Sequence, residues 1–280
     1  MRLQVGIGSA RELDYFLAAG ADEFYCGLSA IPSHVEGARN FSSEEEILTA
    51  AARARAAGRR MFFAANEVHA GLLASTAAVI KRLAAGGVDG VIVKDLALLD
   101  LLRRRRVKTP VILSTLACCL NASALGFYRR YGVARLALPE QLTAAEAAEL
   151  VRNPWDIETE VFLKSRECCL NFNGLCFLDC RGGLSNACSK QYRAGKKTFR
   201  MPAVTPEEHL GELHDYCRLG VQTLKVGRSP CEPMSRLIFK ESAALAALLK
   251  AGAGRAEFVR EAMRVRRAFD RAYALVRGTL

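Results

Sequence analysis

The sequence predicts an α/β protein: a TIM-like (β/α)8 parallel barrel with a cysteine-rich insertion after the seventh strand and helices at the C-terminus. Short apolar runs alternate along the chain with Ala-, Leu- and Arg-rich segments whose apolar residues recur with helical period. Continuous apolar strands are typical of parallel sheets that are buried on both faces. An open doubly wound sheet is the alternative. No G-x-G-x-x-G motif opens the first helix, so a dinucleotide site has no support.

Eight apolar runs are predicted as strands, and each adjoins a helix except where the insertion intervenes. The predicted strands are residues 2–7, 22–27, 60–65, 90–94, 110–114, 134–139, 158–163 and 222–227. The predicted helices are 9–19, one opened by the FSSEEE motif, 69–86, 96–105, 121–131, 143–151, 206–219, 233–251 and 254–276. In FSSEEE, Ser42 or Ser43 can cap the helix, and the three Glu residues lie at its positive end. Pro110 and Gly132 mark returns from helix to strand.

Length and composition favour one domain over residues 1–280, with the insertion at about residues 164–205. A chain of 280 residues with 51% hydrophobic residues can bury one large core. The first residues show no apolar signal core with a cleavage site, and the longest apolar runs are too short to cross a bilayer. We therefore expect a cytoplasmic protein whose cysteines are reduced.

Cysteines are concentrated in the insertion and just after the last predicted strand. Cysteines gathered in one loop-rich stretch are more often ligands of a metal or cluster than packing residues. The four that we select as ligands are Cys169, Cys176, Cys188 and Cys231. Their spacing fits neither a CxxC zinc ribbon nor a ferredoxin run. Cys168 and Cys180 are alternative ligands, and free or disulfide-bonded cysteines are the alternative to a metal site.

Polar residues near the carboxyl ends of the strands are the other site candidates, because barrel enzymes build their sites at that rim. The insertion and Cys231 follow strands that end there. The residues concerned are Tyr25, Gly27, Asn66, Glu67, Lys94, Asp95, Ser114, Thr115, Glu140, Glu160, Lys225 and Arg228. We select Glu140 and Glu160 as catalytic carboxylates, because a carboxylate on a buried strand needs a partner or a function. Lys225 and Arg228 can bind an anionic substrate or pair with those carboxylates. Asp95, Ser114 and Glu67 can instead cap the helices that follow.

The net charge of +11 is compatible with RNA as a partner but does not require it. Basic residues cluster at 103–108, at 193–200 and along the last predicted helix. No RNP, KH or zinc-knuckle motif is present, so a solvated basic surface is the alternative. Hydrolase motifs are also missing: the sequence contains no GxSxG, and His34, His69, His209 and His214 form no HExxH.

In this order along the chain, several segments together resemble peptidase family U32. They are AGADEFYCGL, GARNFSSEEE, the strand that ends AAN, AAGGVDGVIVKD, LST followed by NASALGFYRRYGVARLALPEQLT, ETEVF, CLNFNGLC with NAC, and GVQTLKVGR. The resemblance extends over almost the whole chain. One departure is KVGR, where the family usually has KIEGR with an acidic residue.

The resemblance implies an iron–sulfur protein of oxygen-independent hydroxylation. The matching ligands of a [4Fe–4S] cluster are Cys169, Cys176, Cys188 and Cys231, and prephenate is the implied hydroxyl donor. The implied substrate is a small aromatic or quinone-like precursor or an RNA base, and a paired family subunit is a possible partner. The alternatives are a collagenase-like peptidase, and a non-catalytic partner protein whose cluster or zinc is structural.

Overall fold

The computed structural model describes residues 1–31, 39–66, 68–163, 191–200, 204–229 and 231–278. Its centre is a closed barrel of eight parallel strands, surrounded by helices. The barrel strands are β1 (Arg2–Gly6), β2 (Glu23–Cys26), β3 (Arg60–Ala65), β4 (Gly90–Val93), β5 (Val111–Leu113), β6 (Val133–Ala137), β7 (Glu158–Leu163) and β10 (Thr223–Val226). The predicted α/β parallel barrel is therefore confirmed, and the eight strands correspond to the eight apolar runs.

Nine α-helices are found in the described part of the chain. They are α1 (Ala10–Ala18), α2 (Glu44–Ala56), α3 (Leu73–Ala85), α4 (Leu96–Arg104), α5 (Ala122–Tyr128), α6 (Ala148–Val151), α7 (Pro206–Leu219), α8 (Glu232–Lys250) and α9 (Arg255–Gly278). Their start points follow from capping chemistry. Ser43 accepts a hydrogen bond from the Glu46 amide at the start of α2, and Thr205 and Glu208 form a capping box at the start of α7.

Strand order fixes which chain segments meet at the rim. The order around the barrel is β1-β10-β7-β6-β5-β4-β3-β2, and every neighbouring pair is parallel. β10 therefore lies between β7 and β1, although about sixty residues separate β7 from β10 in sequence. The carboxyl ends of β7 and β10 therefore lie side by side, on the face where barrel enzymes place their sites.

The strands are buried on both faces, but the two faces differ. Outward-facing residues such as Leu3, Phe24, Phe63 and Leu136 join the helices in one continuous hydrophobic core. Inside the barrel a small apolar cluster of Phe62, Ala64, Ile92 and Ile112, with Tyr25 packed against it, fills only part of the interior. Charged and polar side chains occupy the rest.

The structure adds one element that the sequence analysis did not predict. An antiparallel two-stranded ribbon, β8 (Gln191–Ala194) and β9 (Lys197–Arg200), lies within the predicted insertion. The remaining residues of the predicted insertion, apart from 204 and 205, lie outside the described residues. The predicted helix 143–151 is shorter than expected, since only Ala148–Val151 is α-helical. In the described ranges, no helix is both long and apolar enough to cross a membrane.

The basic stripe predicted on the last helix is not uniformly exposed. Arg266 is 7% exposed and lies 3.9 Å from Glu241 of α8, whose other carboxylate oxygen accepts a 2.6 Å hydrogen bond from Tyr273. This ion pair helps to hold α9 against α8. Arg260, Arg267 and Arg271 are exposed.

Candidate active site at the barrel rim

The lower interior of the barrel contains a buried ion network centred on Arg135 of β6. Its guanidinium donates to both oxygens of Glu23 (2.6 and 3.0 Å), to Glu160 (3.2 Å) and to Glu158 (2.7 Å). Arg135, Glu23 and Glu160 are 3%, 1% and 0% exposed. Each charge is therefore removed from water and needs its partners to stay ionised.

The electrostatics of this network favour the charged forms. Although burial raises the pKa of Glu23, the hydrogen bond and positive charge of Arg135, with the charges of Arg60 and Arg2, bring that pKa below its ordinary value. Burial opposes the charge of Arg135, but Glu23 and Glu160 outweigh it and raise the pKa of the guanidinium. Glu23 and Arg135 are thus fixed charges at neutral pH.

We expect the stability of the protein to fall in acid partly through Glu23. Its pKa is lowered in the folded state, so the unfolded state binds more protons as the pH drops below the ordinary value of 4.5. The contribution is complete above that pH and is lost as the pH falls through the folded-state value. Urea unfolding between about pH 6 and about pH 3 should show a smaller acid-induced loss for Glu23→Gln than for the wild type. Glu45→Gln, at an exposed position, is the matched control, and equal losses in all three proteins would contradict this assignment.

Glu160 and Lys225, two of the predicted catalytic residues, form a direct pair above Arg135. Lys225 donates to the Glu160 carboxylate at 3.0 Å, and both side chains are buried. The ammonium also lies 4.7 Å from the ring centroid of Tyr25 and 5.3 Å from that of Phe162. Glu160 lies in the middle of β7, three residues before the strand ends, and not at the rim itself. The pairing that the sequence analysis allowed between Lys225 and a carboxylate is present.

Arg228, the third predicted residue of this group, belongs to a separate cluster at the carboxyl ends of β1, β2 and β10. It donates to Asn40 Oδ1 at 2.9 Å and to the carbonyl of Arg39. Arg39 in turn donates to Glu12, to the carbonyl of Ser229 and to the Ser235 hydroxyl. Burial lowers the pKa of Arg228, and the neighbouring Arg39 charge adds to that effect. Of the carboxylates in the described residues, Glu12 is the one that pairs with this couple of arginines.

Two glycines of β1 and its following loop make room for this cluster. A Cβ at Gly6 would lie 2.2 Å from Arg228 Cγ, and one at Gly8 would lie 1.7 Å from the carbonyl oxygen of Arg39. Neither contact is tolerable, so the two arginines reach the rim only because these positions lack side chains. Tyr25 closes the cluster from below, and burial raises the pKa of its hydroxyl to about 12.

Glu140, the fourth predicted residue, lies apart from the other three. It is exposed, follows β6, and lines a cavity of about 290 Å³ between that loop and α7. The cavity wall also includes Leu142, Leu213 and Tyr216, outside the barrel. The structure therefore joins Glu160 to Lys225, but distributes Arg228 and Glu140 over two further places.

Cys231 is the one predicted cluster ligand within the described residues. It occupies the N-cap position of α8, five residues after the last residue of β10, and its thiol is free, half-buried and makes no capping hydrogen bond. A helix N-terminus favours a negatively charged group, which suits a thiolate ligand. Cys169, Cys176 and Cys188, with the alternatives Cys168 and Cys180, lie outside the described residues, in the segment that follows β7.

Most other polar residues predicted at the rim have structural partners. Asp95 caps α4 by accepting from the Leu98 amide at 2.7 Å, and Ser114 accepts from the Leu116 amide. Thr115 donates to the carbonyl of Leu138 at 3.1 Å. The capping role that the sequence analysis offered for Asp95 and Ser114 is the observed one. Glu67 lies outside the described residues.

The sequence analysis missed Glu23, Arg135, Glu158 and Gln4, which complete the barrel interior. Gln4 donates to Glu23 at 3.2 Å, while its own amide oxygen is buried without a hydrogen-bond partner. A signal for these residues was present: a charged residue within an apolar strand run must face the barrel interior if its neighbours face the helices. The site candidates were taken from strand ends only, so charged residues within the strands were not considered.

Comparison with protein families gives one match that spans most of the chain. The model of the family described as peptidase family U32 matches residues 8–252. Among curated proteins, tRNA hydroxylation protein P of Escherichia coli (strain K12) is 24% identical over 246 residues, covering 84% of this chain and 52% of the relative. tRNA hydroxylation protein P1 of Bacillus subtilis (strain 168) is 28% identical over 187 residues, covering 64% of this chain and 40% of the relative. The chain spans about half or less of the length of these relatives.

Solved structures share the barrel at low sequence identity. A U32 peptidase aligns with a TM-score of 0.53 and 13% identity, over 83% of this chain and 94% of that one. Dihydrodipicolinate synthase of Agrobacterium tumefaciens aligns with a TM-score of 0.55 and 14% identity, over 99% of this chain and 83% of that one. At such identities the likeness concerns the fold alone.

Proposed function

Because the chain belongs to peptidase family U32, we propose that it is an iron–sulfur protein that hydroxylates a base of tRNA without using molecular oxygen. The observation that carries this proposal is the likeness to tRNA hydroxylation protein P over 84% of the chain. That alignment is long enough to involve the barrel as a whole and not one motif. The basic net charge of +11 suits an RNA substrate.

We propose that Cys169, Cys176, Cys188 and Cys231 hold a [4Fe–4S] cluster at the rim. What supports this is the placement of Cys231: a free thiol at a helix N-terminus, beside the point where the cysteine-rich segment leaves the neighbouring strand. The donor set of four cysteines is the usual one for such a cluster. When bound, the cluster supplies the redox or Lewis-acid chemistry that ordinary side chains lack.

The proposed roles of the protein side chains follow from their environments. Among the described residues, Arg228 and Arg39 place two positive charges against one carboxylate, that of Glu12. The two arginines can therefore accept an anionic group such as an RNA phosphate or the carboxylate of a hydroxyl donor like prephenate. Lys225 is fixed by Glu160 and by two aromatic rings, which suits a positioning residue beneath the bound base. A catalytic role for Glu140 stays a prediction, since it lies in the α7 cavity.

A peptidase is the second candidate, and the family description favours it. Of the described histidines, His214 gives it little chemical support. The ring nitrogens of His214 contact Asp215 at 3.3 Å and the carbonyl of Ala253 at 3.2 Å, so neither contacts a serine or cysteine nucleophile.

Anaerobically purified protein, incubated with unmodified tRNA and a hydroxyl donor, tests the proposal. Mass spectrometry of the digested nucleosides should detect one added oxygen atom on a base. Arg228→Lys keeps the charge but loses the planar fork of donors, so we expect it to weaken turnover. Two results together would contradict the hydroxylase and favour the peptidase. They are hydrolysis of gelatin by metal-free protein, and unchanged tRNA nucleosides after incubation with the anaerobically purified protein.

A further inference from the structure

The β8–β9 ribbon has the geometry of an exposed hairpin. Tyr192 pairs with Phe199, Arg193 with Thr198, and Ala194 with Lys197. The turn consists of Gly195 and Lys196, with Gly195 at φ +61°, which fits the first position of a type II′ turn. All described side chains of the ribbon are exposed except Tyr192, which is half-buried. The ribbon therefore presents its residues to solvent and not to the barrel core.

The ribbon is strongly and locally basic. Residues 180–206 include six Lys or Arg residues and no Asp or Glu. At the turn, Arg193 Nε donates to the carbonyl of Gly195 at 2.9 Å, which draws the guanidinium toward Lys196 and Lys197. No carboxylate among the described residues pairs with Arg193, Lys196 or Lys197, unlike Arg103 and Arg104, which share Asp100. Within the described part of the chain, no nearby acid therefore cancels the field at the turn.

Next to these charges lies an exposed aromatic surface. The rings of Tyr192 and Phe199 are stacked, with centroids 5.9 Å apart and planes at 28°. Phe199 is 46% exposed, so its ring is accessible to a partner. Strand alternation places Lys197 on the same face as this ring pair. One face therefore combines a stacking platform with a cation.

We propose that the β8–β9 ribbon is a contact surface for a single-stranded segment of RNA. Unpaired bases stack on exposed aromatic rings, while Lys and Arg contact the phosphates on either side. A fully paired duplex would offer phosphates but no free base faces. The inference rests on the proposed function for the choice of RNA as partner, and it adds where on the chain that RNA is held.

Binding of an unmodified tRNA transcript, measured over a range of salt concentrations, tests the surface. The triple variant Arg193→Gln, Lys196→Gln and Lys197→Gln removes the charges of the turn and should weaken binding by about 10- to 100-fold near 0.1 M salt. The slope of the logarithm of the binding constant against the logarithm of the salt concentration should become less steep by about 2. Phe199→Ala should weaken binding by about tenfold with the slope unchanged, because stacking is not a counterion effect. Phe199→Trp keeps an aromatic ring at this position and should bind the transcript as the wild type does.

A matched control removes the same charge from another exposed basic surface. Arg260, Arg267 and Arg271 of α9 are exposed, and changing all three to Gln alters the net charge equally. If this control weakens binding as much as the ribbon triple, only the overall charge matters and the proposal is overturned. The proposal would also be overturned if the ribbon variants bound tRNA like the wild type but lost binding to anionic lipid vesicles.

The two proposals fail in distinguishable ways. If the wild type binds tRNA through the ribbon but adds no oxygen to any base, the ribbon surface stands and the hydroxylase falls. If tRNA is hydroxylated and the ribbon variants bind it like the wild type, the ribbon surface falls and the hydroxylase stands. If the wild type does not bind RNA, both fall.

Discussion

Replacing Arg135 by Met is expected to lower the free energy of unfolding by about 3–5 kcal/mol, the cost of leaving buried charges without their partner. The change removes the bonds to Glu23, Glu160 and Glu158 at once. Glu160 retains Lys225 at 3.0 Å, and Glu23 retains Arg2 and Arg60. Those remaining pairs can limit the loss but cannot fill the centre of the network, where Arg135 is 3% exposed.

Urea unfolding of three variants measures this effect. Arg60→Met removes a partner of the same Glu23, but the Arg60 side chain is 43% exposed, so the expected loss is below about 1 kcal/mol. Glu23→Gln combined with Arg135→Met removes a buried charge together with its partner, so its loss should be smaller than the sum of the two single losses. If Arg135→Met does not fold, Arg135→Lys gives an intermediate case. A stability of Arg135→Met within about 1 kcal/mol of the wild type would contradict the role of the network.

This network also shows where sequence reasoning reached its limit. The eight strands could be predicted because parallel barrel strands are apolar on both faces, as in GVIVKD and PVILST. The charged residues within the predicted strands 134–139 and 158–163 do not follow that rule. Which charges meet depends on register: Thr223 lies opposite Glu160, and Ala137 also lies opposite Glu160. Register across strands distant in sequence cannot be read from one sequence.

The sequence predicted only part of the candidate site. The rest depends on contacts between segments distant in sequence, which one sequence does not reveal. The sequence analysis found Glu160 and Lys225 because both lie on strands, and it allowed their pairing. It did not find Arg39, whose contact with Glu12 depends on the path of the loop after β2. The ribbon was missed because its strands are four residues long and its turn lacks an Asn-Gly or Asp-Gly pair. Tyr192 and Phe199, placed symmetrically about the Gly195–Lys196 pair, were the available signal.

Replacing Cys231 by Ala is expected to abolish cluster binding and reduce tRNA hydroxylation to the level of iron-free protein. The proposed site has four thiolate ligands, and a cluster held by three is labile in the absence of a replacement. Cys217→Ala is the matched control. Burial raises the pKa of the Cys217 thiol to about 12. Cys217 lies in the last turn of α7, which leads to the start of β10 and not to the rim at its carboxyl end.

Iron and acid-labile sulfide, measured on anaerobically purified protein, separate the cluster from its alternatives, and activity is a second readout. The wild type and Cys217→Ala should contain equal iron and sulfide, whereas Cys231→Ala should have lost most of both. Because Cys231 makes no capping hydrogen bond at the start of α8, its replacement removes no hydrogen bond from that helix. Unfolding that accompanies loss of the metal would therefore indicate a structural site. Bound zinc without sulfide in the wild type would contradict the cluster, and full iron and sulfide in Cys231→Ala would move the fourth ligand to Cys168 or Cys180.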